Sequence, residues 1–141
     1  MSNLETVKQM YVDFKNGHIP PILEQLSDSV EWEYGVNFGS IPWLQPRRGR
    51  QEVAKFFEAL NQLEFHKFEP KTFFESGNIV VCLFDVDARV KDTENRIMEE
   101  DEVHIWYFNE QGKVVKFRHR ADTHQHWLAL HREPVREAII G

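Results

Sequence analysis

Few residues in this chain have both the chemistry and the setting to move a proton. His104 stands in the middle of "EEDEVHIWYF", Glu99 to Phe108, where an acidic arm turns into a strand of aromatic and β-branched residues. An imidazole titrates closest to neutrality of all side chains, and in its neutral form it still donates one N–H. The two-residue period of a strand places Glu102, His104, Trp106 and Phe108 on one face. In "KVVKFRHRA" the same alternation groups Val115, Phe117 and His119. Asp122 follows at the end of that run, out of phase with His119 and three residues before Gln125. It is therefore either an acid turned inward at a strand's end or the cap of a following helix. Tyr11 lies in helical phase with Val7 and Phe14, where a buried hydroxyl needs a partner.

His119, His124, His126 and His131 raise the question of a metal, since helical spacing brings His124 and His131 near one face. No HExxH pattern and no cysteine pair accompany them, and a structural zinc needs four converging ligands. A solvated terminal helix anchored by Trp127 and Leu128 is the expectation, with no metal.

The chain around these residues is 141 long, 41% hydrophobic and 28% charged, which is the length and composition of one globular domain with a real core. A net charge of −6 repels a phosphate backbone, and "RRGR" and "RHR" are too short to reverse that, so nucleic acid is not expected as a partner. No window approaches the ~20 apolar residues of a membrane span. The N-terminus lacks the basic-then-apolar order of a secretion signal, so a cytoplasmic location is expected. The single cysteine, Cys82 in "IVVCLF", excludes an internal disulfide and reads as a buried, inert thiol. "GSIPWLQPRRG" has neither the spacing nor the setting of a phosphate or dinucleotide loop, so no cofactor is expected.

The elements that must position the candidates follow from periodicity. Ser2 and Glu5 have capping-box spacing ahead of Leu4, Val7, Tyr11 and Phe14, and Asn16-Gly17 ends that helix. A short helix starts at Pro20 or Pro21 and runs through Ile22, Leu23 and Leu26. "SDSVEWEY" is a strand, and "GVNFGSIPWLQPRRGR" an irregular rim. A third helix carries Val53, Phe56, Phe57 and Leu60 as one stripe. Beyond residue 64 the pattern becomes long strands separated by "SGN", "KDTEN" and "NEQG", an antiparallel meander. Helices first and strands afterwards give an α+β domain with helices on one sheet face.

Three stretches carry a family resemblance: "VKQMYVDFKNGHIPPILEQLSDSVEWEY", "PRRGRQEVAKFFEAL" and above all "HIWYFNEQGKVVKFRHRAD". Over roughly residues 4–123 the chain resembles the SnoaL-like and ketosteroid-isomerase-like branch of the nuclear transport factor 2-like superfamily. That resemblance implies a cone-shaped, strongly curved antiparallel sheet covered by three N-terminal helices, a cystatin-like fold. It implies a single domain over residues 1–133 with a tail at 134–141, and a homodimer formed through the outer sheet face. Tyr11 falls at the isomerase tyrosine, and His104 at or near the oxyanion-hole aspartate. Tyr34, or Glu33 with a one-residue shift, falls where the isomerase base would be, so the isomerase pattern is incomplete. Asp122 matches the acid/base aspartate of SnoaL-type cyclases. The resemblance thus implies an acid/base enzyme without a cofactor, acting on a small hydrophobic carbonyl compound, with His104, Asp122 and Tyr11 as its chemical groups. Trp32, Tyr34, Phe38, Trp43, Phe57, Glu102, Trp106, Phe117 and His119 are the expected pocket, Glu102 as a second acid at the cone's mouth. A non-catalytic ligand-binding or association module of the same fold is the alternative.

Overall fold

A computed structural model describes residues 1–33 and 41–132, so Tyr34 and Phe38 lie outside the described residues. Helix α1 (Asn3–Lys15) opens with the expected cap: the Ser2 hydroxyl accepts from the Glu5 N–H at 3.1 Å and donates to the Glu5 carboxylate at 3.2 Å. Val7, Met10 and Tyr11 form its buried stripe. Helix α2 (Ile19–Glu24) carries its prolines in the first turn, where a missing N–H costs nothing. Leu26 does not continue that helix. It begins strand β1 (Leu26–Glu33) and is fully buried there.

The segment expected to be irregular contains a 3-10 turn (Pro42–Leu44) and a two-residue strand, β2 (Arg47–Arg48), paired with β1. Gly49, at φ +84°, then leads helix α3 (Arg50–Ala59), a backbone conformation that favours glycine. Four strands follow: β3 (Leu63–Ser76), β4 (Ile79–Val90), β5 (Arg96–Phe108) and β6 (Val114–Arg120). The order across the sheet is β2-β1-β6-β5-β4-β3. All described neighbours are antiparallel except β1 and β6, which run parallel. This is the α+β fold expected, a curved sheet under N-terminal helices.

The inner face is read directly from burial. On β4 every even position from Val80 to Val90 is buried. On β5 the buried positions are Ile97 and Glu99, then Glu102, His104, Trp106 and Phe108. The parity changes because β5 bulges: Phe84 pairs with Glu102 and Val86 with Glu99, so Asp85 alone faces Glu100 and Asp101. Asp101 takes φ +59° to make the turn, and Asp85 holds it by accepting its N–H at 3.1 Å. A second irregularity, between Tyr107 and Phe108, makes Val114 rather than Val115 the buried valine of β6.

Helix α4 (Thr123–His131) lies against β4 and β5. Its anchors are not Trp127 and Leu128. His126 and Ala129 face inward, and Trp127 is 41% exposed. Polar groups fasten it. Gln125 bonds both backbone atoms of Met98, at 2.6 and 3.0 Å, while Thr93 and Asn95 of the β4–β5 turn donate to the Ala129 carbonyl. No helix among the described residues is long and apolar enough to cross a membrane.

Candidate functional site

The inner face of β5 and β6 and the buried stripe of α1 meet around His104. Tyr11 reaches from α1, and its hydroxyl lies 2.7 Å from Nδ1 of His104. The indole N–H of Trp106, two residues along β5, donates to the same hydroxyl at 3.1 Å. On the other side of the ring, Nε2 of His104 lies 3.1 Å from Oε1 of Glu102. His119, the cross-strand partner of His104, hydrogen-bonds that same oxygen through its Nε2. Phe84 stacks on His104 at 4.8 Å between centroids.

Burial fixes the direction of these bonds. It holds His104 below the ordinary imidazole value, against the opposing pull of Glu102, so the ring is neutral at pH 7. Burial alone would raise the Glu102 carboxyl, but attraction to His119 and the imidazole hydrogen bonds hold it well below the usual carboxylate range. A carboxylate only accepts, so Nε2 of His104 carries the ring's proton and Nδ1 accepts. Tyr11, kept protonated because burial pushes it well above its ordinary value, then donates to Nδ1. The result is one directed seam: Trp106 N–H to Tyr11, Tyr11 O–H to His104, and His104 and His119 N–H to Glu102.

Two small apolar chambers flank the seam, each of about 80 Å³. The first is lined by Tyr11, Trp32, Phe57, Trp106, Phe117, His104 and His119 among others, and the second by Trp43, Glu102, His104, His119 and His126 with aliphatic and phenyl groups. His104, His119, Phe56, Leu60 and Phe68 belong to both walls. Every expected pocket residue within the described part therefore lines one chamber or the other.

Asp122 is not brought to His104. Its carboxylate accepts from the Gln125 N–H at 3.1 Å as the cap of α4, and its side chain is at the surface. The acid that touches His104 is Glu102. Sequence reasoning missed two further groups. Glu99 accepts from the Asp122 N–H at 2.8 Å and hydrogen-bonds Nε2 of His126, whose Nδ1 accepts the Trp43 indole N–H at 2.9 Å. The only hint was the run of four acids, Glu99 to Glu102, ahead of an inward-facing strand.

Glu102, His104 and His119, and likewise Glu99, Glu102 and His126, bring possible ligand atoms within 4.8 Å of one another. The wiring of the second cluster does not suit a metal. A metal-bound imidazole donates its other N–H to an acceptor. Here the far nitrogen of His126 instead receives a hydrogen bond from the Trp43 indole. Of the four histidines whose spacing raised the question, His119 and His126 enter buried clusters, while His124 and His131 are exposed.

A SnoaL-like domain model matches residues 7–117. No curated protein matches the sequence. Among solved structures, an NTF2-like protein of unknown function from Burkholderia pseudomallei is similar at 24% identity, covering 93% of this chain and 99% of its own, with a TM-score of 0.80. TerC, crystallised with polyporic acid, is 21% identical over 91% of this chain and 97% of its own, TM-score 0.77. A Mesorhizobium loti protein provisionally assigned as a SnoaL-like polyketide cyclase is 18% identical over 86% of this chain and all of its own, TM-score 0.69. At these identities the likeness is one of fold.

Proposed function

The chain belongs to the SnoaL-like domain family, and from that premise we propose that it is an acid/base enzyme acting on a small hydrophobic molecule held in the paired chambers. One observation carries the proposal: a single buried carboxylate, Glu102, receives two imidazoles that both line both chambers. A carboxylate in that position stabilises the imidazolium formed when a substrate gives up a proton. Tyr11, in the wall of the first chamber, supplies the route. It passes its hydroxyl proton to Nδ1 of His104 as it takes one from the substrate, and the reverse movement returns a proton to the product. Tyrosinate is never populated along that path, since burial disfavours it. The apolar walls exclude water and strengthen each polar contact inside. Proton abstraction beside a carbonyl serves isomerisation, cyclisation and dehydration alike.

The test is proton exchange. Small ketones such as acetophenone and cyclohexanone, incubated with the protein in D2O, would lose their α-proton NMR signals faster than in buffer, and the His104→Gln and Tyr11→Phe variants would lose that acceleration. Binding of the same ketones with exchange at the buffer rate would overturn the enzymatic reading in favour of a ligand-binding module of the same fold. A cytoplasmic homodimer joined through the outer sheet face completes the proposal, and a monomeric mass by size exclusion at micromolar concentration would contradict it.

A further inference from the structure

Two imidazoles and one carboxylate converge on a single point in the interior. Nε2 of His104 lies 3.1 Å from Oε1 of Glu102, and Nε2 of His119 meets the same oxygen from β6. The three ligand atoms all lie within 4.8 Å of one another, on side chains 4% exposed for Glu102, 10% for His104 and 11% for His119. Two imidazoles on one metal, through bonds of about 2.0–2.1 Å set about 100° apart, have ring centroids about 4.9 Å apart and ligand atoms about 3.1 Å apart. The rings of His104 and His119 are 4.8 Å apart and inclined at 81°. The spacing of 3.1 Å between His104 and Glu102 fits the same arrangement.

A ligating imidazole must also pass its other N–H to an acceptor, and on this point the two buried clusters differ. Trp43 offers His126 a donor and nothing else, so His126 keeps its proton on Nε2 and cannot ligate there. Tyr11 offers His104 a hydroxyl at 2.7 Å, whose oxygen has two lone pairs. One takes the Trp106 N–H, and the other can take the Nδ1 proton of His104. The tautomer that frees Nε2 for a metal is thus open to His104 and closed to His126. A cation also has a way in. Glu102 belongs to the lining of an open surface groove whose other carboxylates, Glu99, Glu100, Asp101 and Asp122, outnumber the guanidinium of Arg120.

We propose that Glu102, His104 and His119 form a binding site for a divalent transition-metal ion of the zinc class. Two imidazoles with one carboxylate suit Zn2+ better than Ca2+ or Mg2+, which take oxygen ligands. Three protein ligands leave a coordination position for a water or a ligand oxygen, as in catalytic rather than structural zinc sites, and His104 and His119 both line both chambers. The site goes beyond the acid/base reading above and does not rest on it. A ring that ligates through Nε2 keeps its proton on Nδ1, so the route from Tyr11 to His104 belongs to the metal-free protein.

The test uses the full chain stripped with EDTA and dialysed free of it. Calorimetric titration should show one Zn2+ per chain with a Kd below about 1 μM. Glu102→Gln, His104→Gln and His119→Gln should each weaken binding at least about hundredfold, while His124→Gln and His131→Gln, on exposed rings, should bind as the wild type does. Co2+ supplies a readout that needs no variant to fold: a four-coordinate site gives intense visible absorption, and the weak spectrum of six-coordinate cobalt would overturn the proposal. So would the absence of saturable zinc binding at micromolar concentration, binding that survives in the three ligand variants, or binding lost with His124 or His131. Deuterium exchange is read on the stripped protein, so failure of the acid/base reading and failure of the metal site are separate results.

Discussion

Replacing Tyr11 by Phe separates a wired tyrosine from one that merely fills space. The side chain is 6% exposed and packs within about one ring diameter of Phe84, His104 and Trp106, so Phe occupies the same volume with the same contacts. Only the hydroxyl is lost, and it serves twice, accepting from Trp106 at 3.1 Å and donating to His104 at 2.7 Å. Its removal strands an indole N–H and an imidazole nitrogen in an apolar interior. Each orphaned group costs about 1–3 kcal/mol, so the variant should be destabilised by about 2–6 kcal/mol. That is a large share of the roughly 5–15 kcal/mol that holds a domain together. Urea unfolding reads it directly: with a slope of about 2 kcal/mol/M the midpoint should fall by about 1–3 M at unchanged slope. In a Trp106→Phe background, where no indole N–H is left to strand, the cost of Tyr11→Phe should shrink by about 1 kcal/mol. A Tyr11→Phe variant within about 0.5 kcal/mol of wild type, or more stable than it, would refute the directed seam.

Three further outcomes follow from the same geometry. Trp43→Phe leaves Nδ1 of His126 without its donor, and thermal or urea unfolding should show a loss of about 1–3 kcal/mol. Asp101 holds φ +59°, so Asp101→Ile should cost about 1–2 kcal/mol, whereas Asp101→Asn, which tolerates that conformation, should stay close to wild type. Because His104 takes up a proton only below its unfolded value of about 6.5, unfolding absorbs a proton in that window. Stability should therefore fall on acidification below pH 6.5, by at most about 1.4 kcal/mol per pH unit from this group, and the His104→Gln variant should show a flatter profile in denaturant titrations at stepped pH.

Much of the site could be read from the chain because it lies on regular elements. The helical phase of Val7, Tyr11 and Phe14 and the two-residue phase of Glu102, His104 and Trp106 survive folding, so the face each residue occupies follows from counting. What escaped lies where counting breaks. Four consecutive acids carry no apolar contrast, so nothing in them marks the extra residue that turns Glu99 inward beside Glu102. In α4 the hydrophobic side chains suggested one inward face, but the helix is held by the hydrogen bonds of His126 and Gln125 rather than by Trp127. Asp122 allowed two readings, and its carboxylate is occupied by the N-terminus of α4. The short β2 has too few residues for any period to show.

The bulge in β5 makes one strand into two out-of-step pieces with separate duties. Residues 96–99 latch the C-terminal helix through Glu99, while residues 102–108 furnish the chamber walls. Trimming a single residue at the bulge would set the two glutamates two positions apart in regular alternation, so both could keep their inward places, and what would go is the bend that Asp101 makes at φ +59° and Asp85 holds. A relative without this extra residue can therefore keep both inward positions in a straighter strand, and aligning it with this chain requires a gap at Glu100–Asp101 before any pocket position is compared.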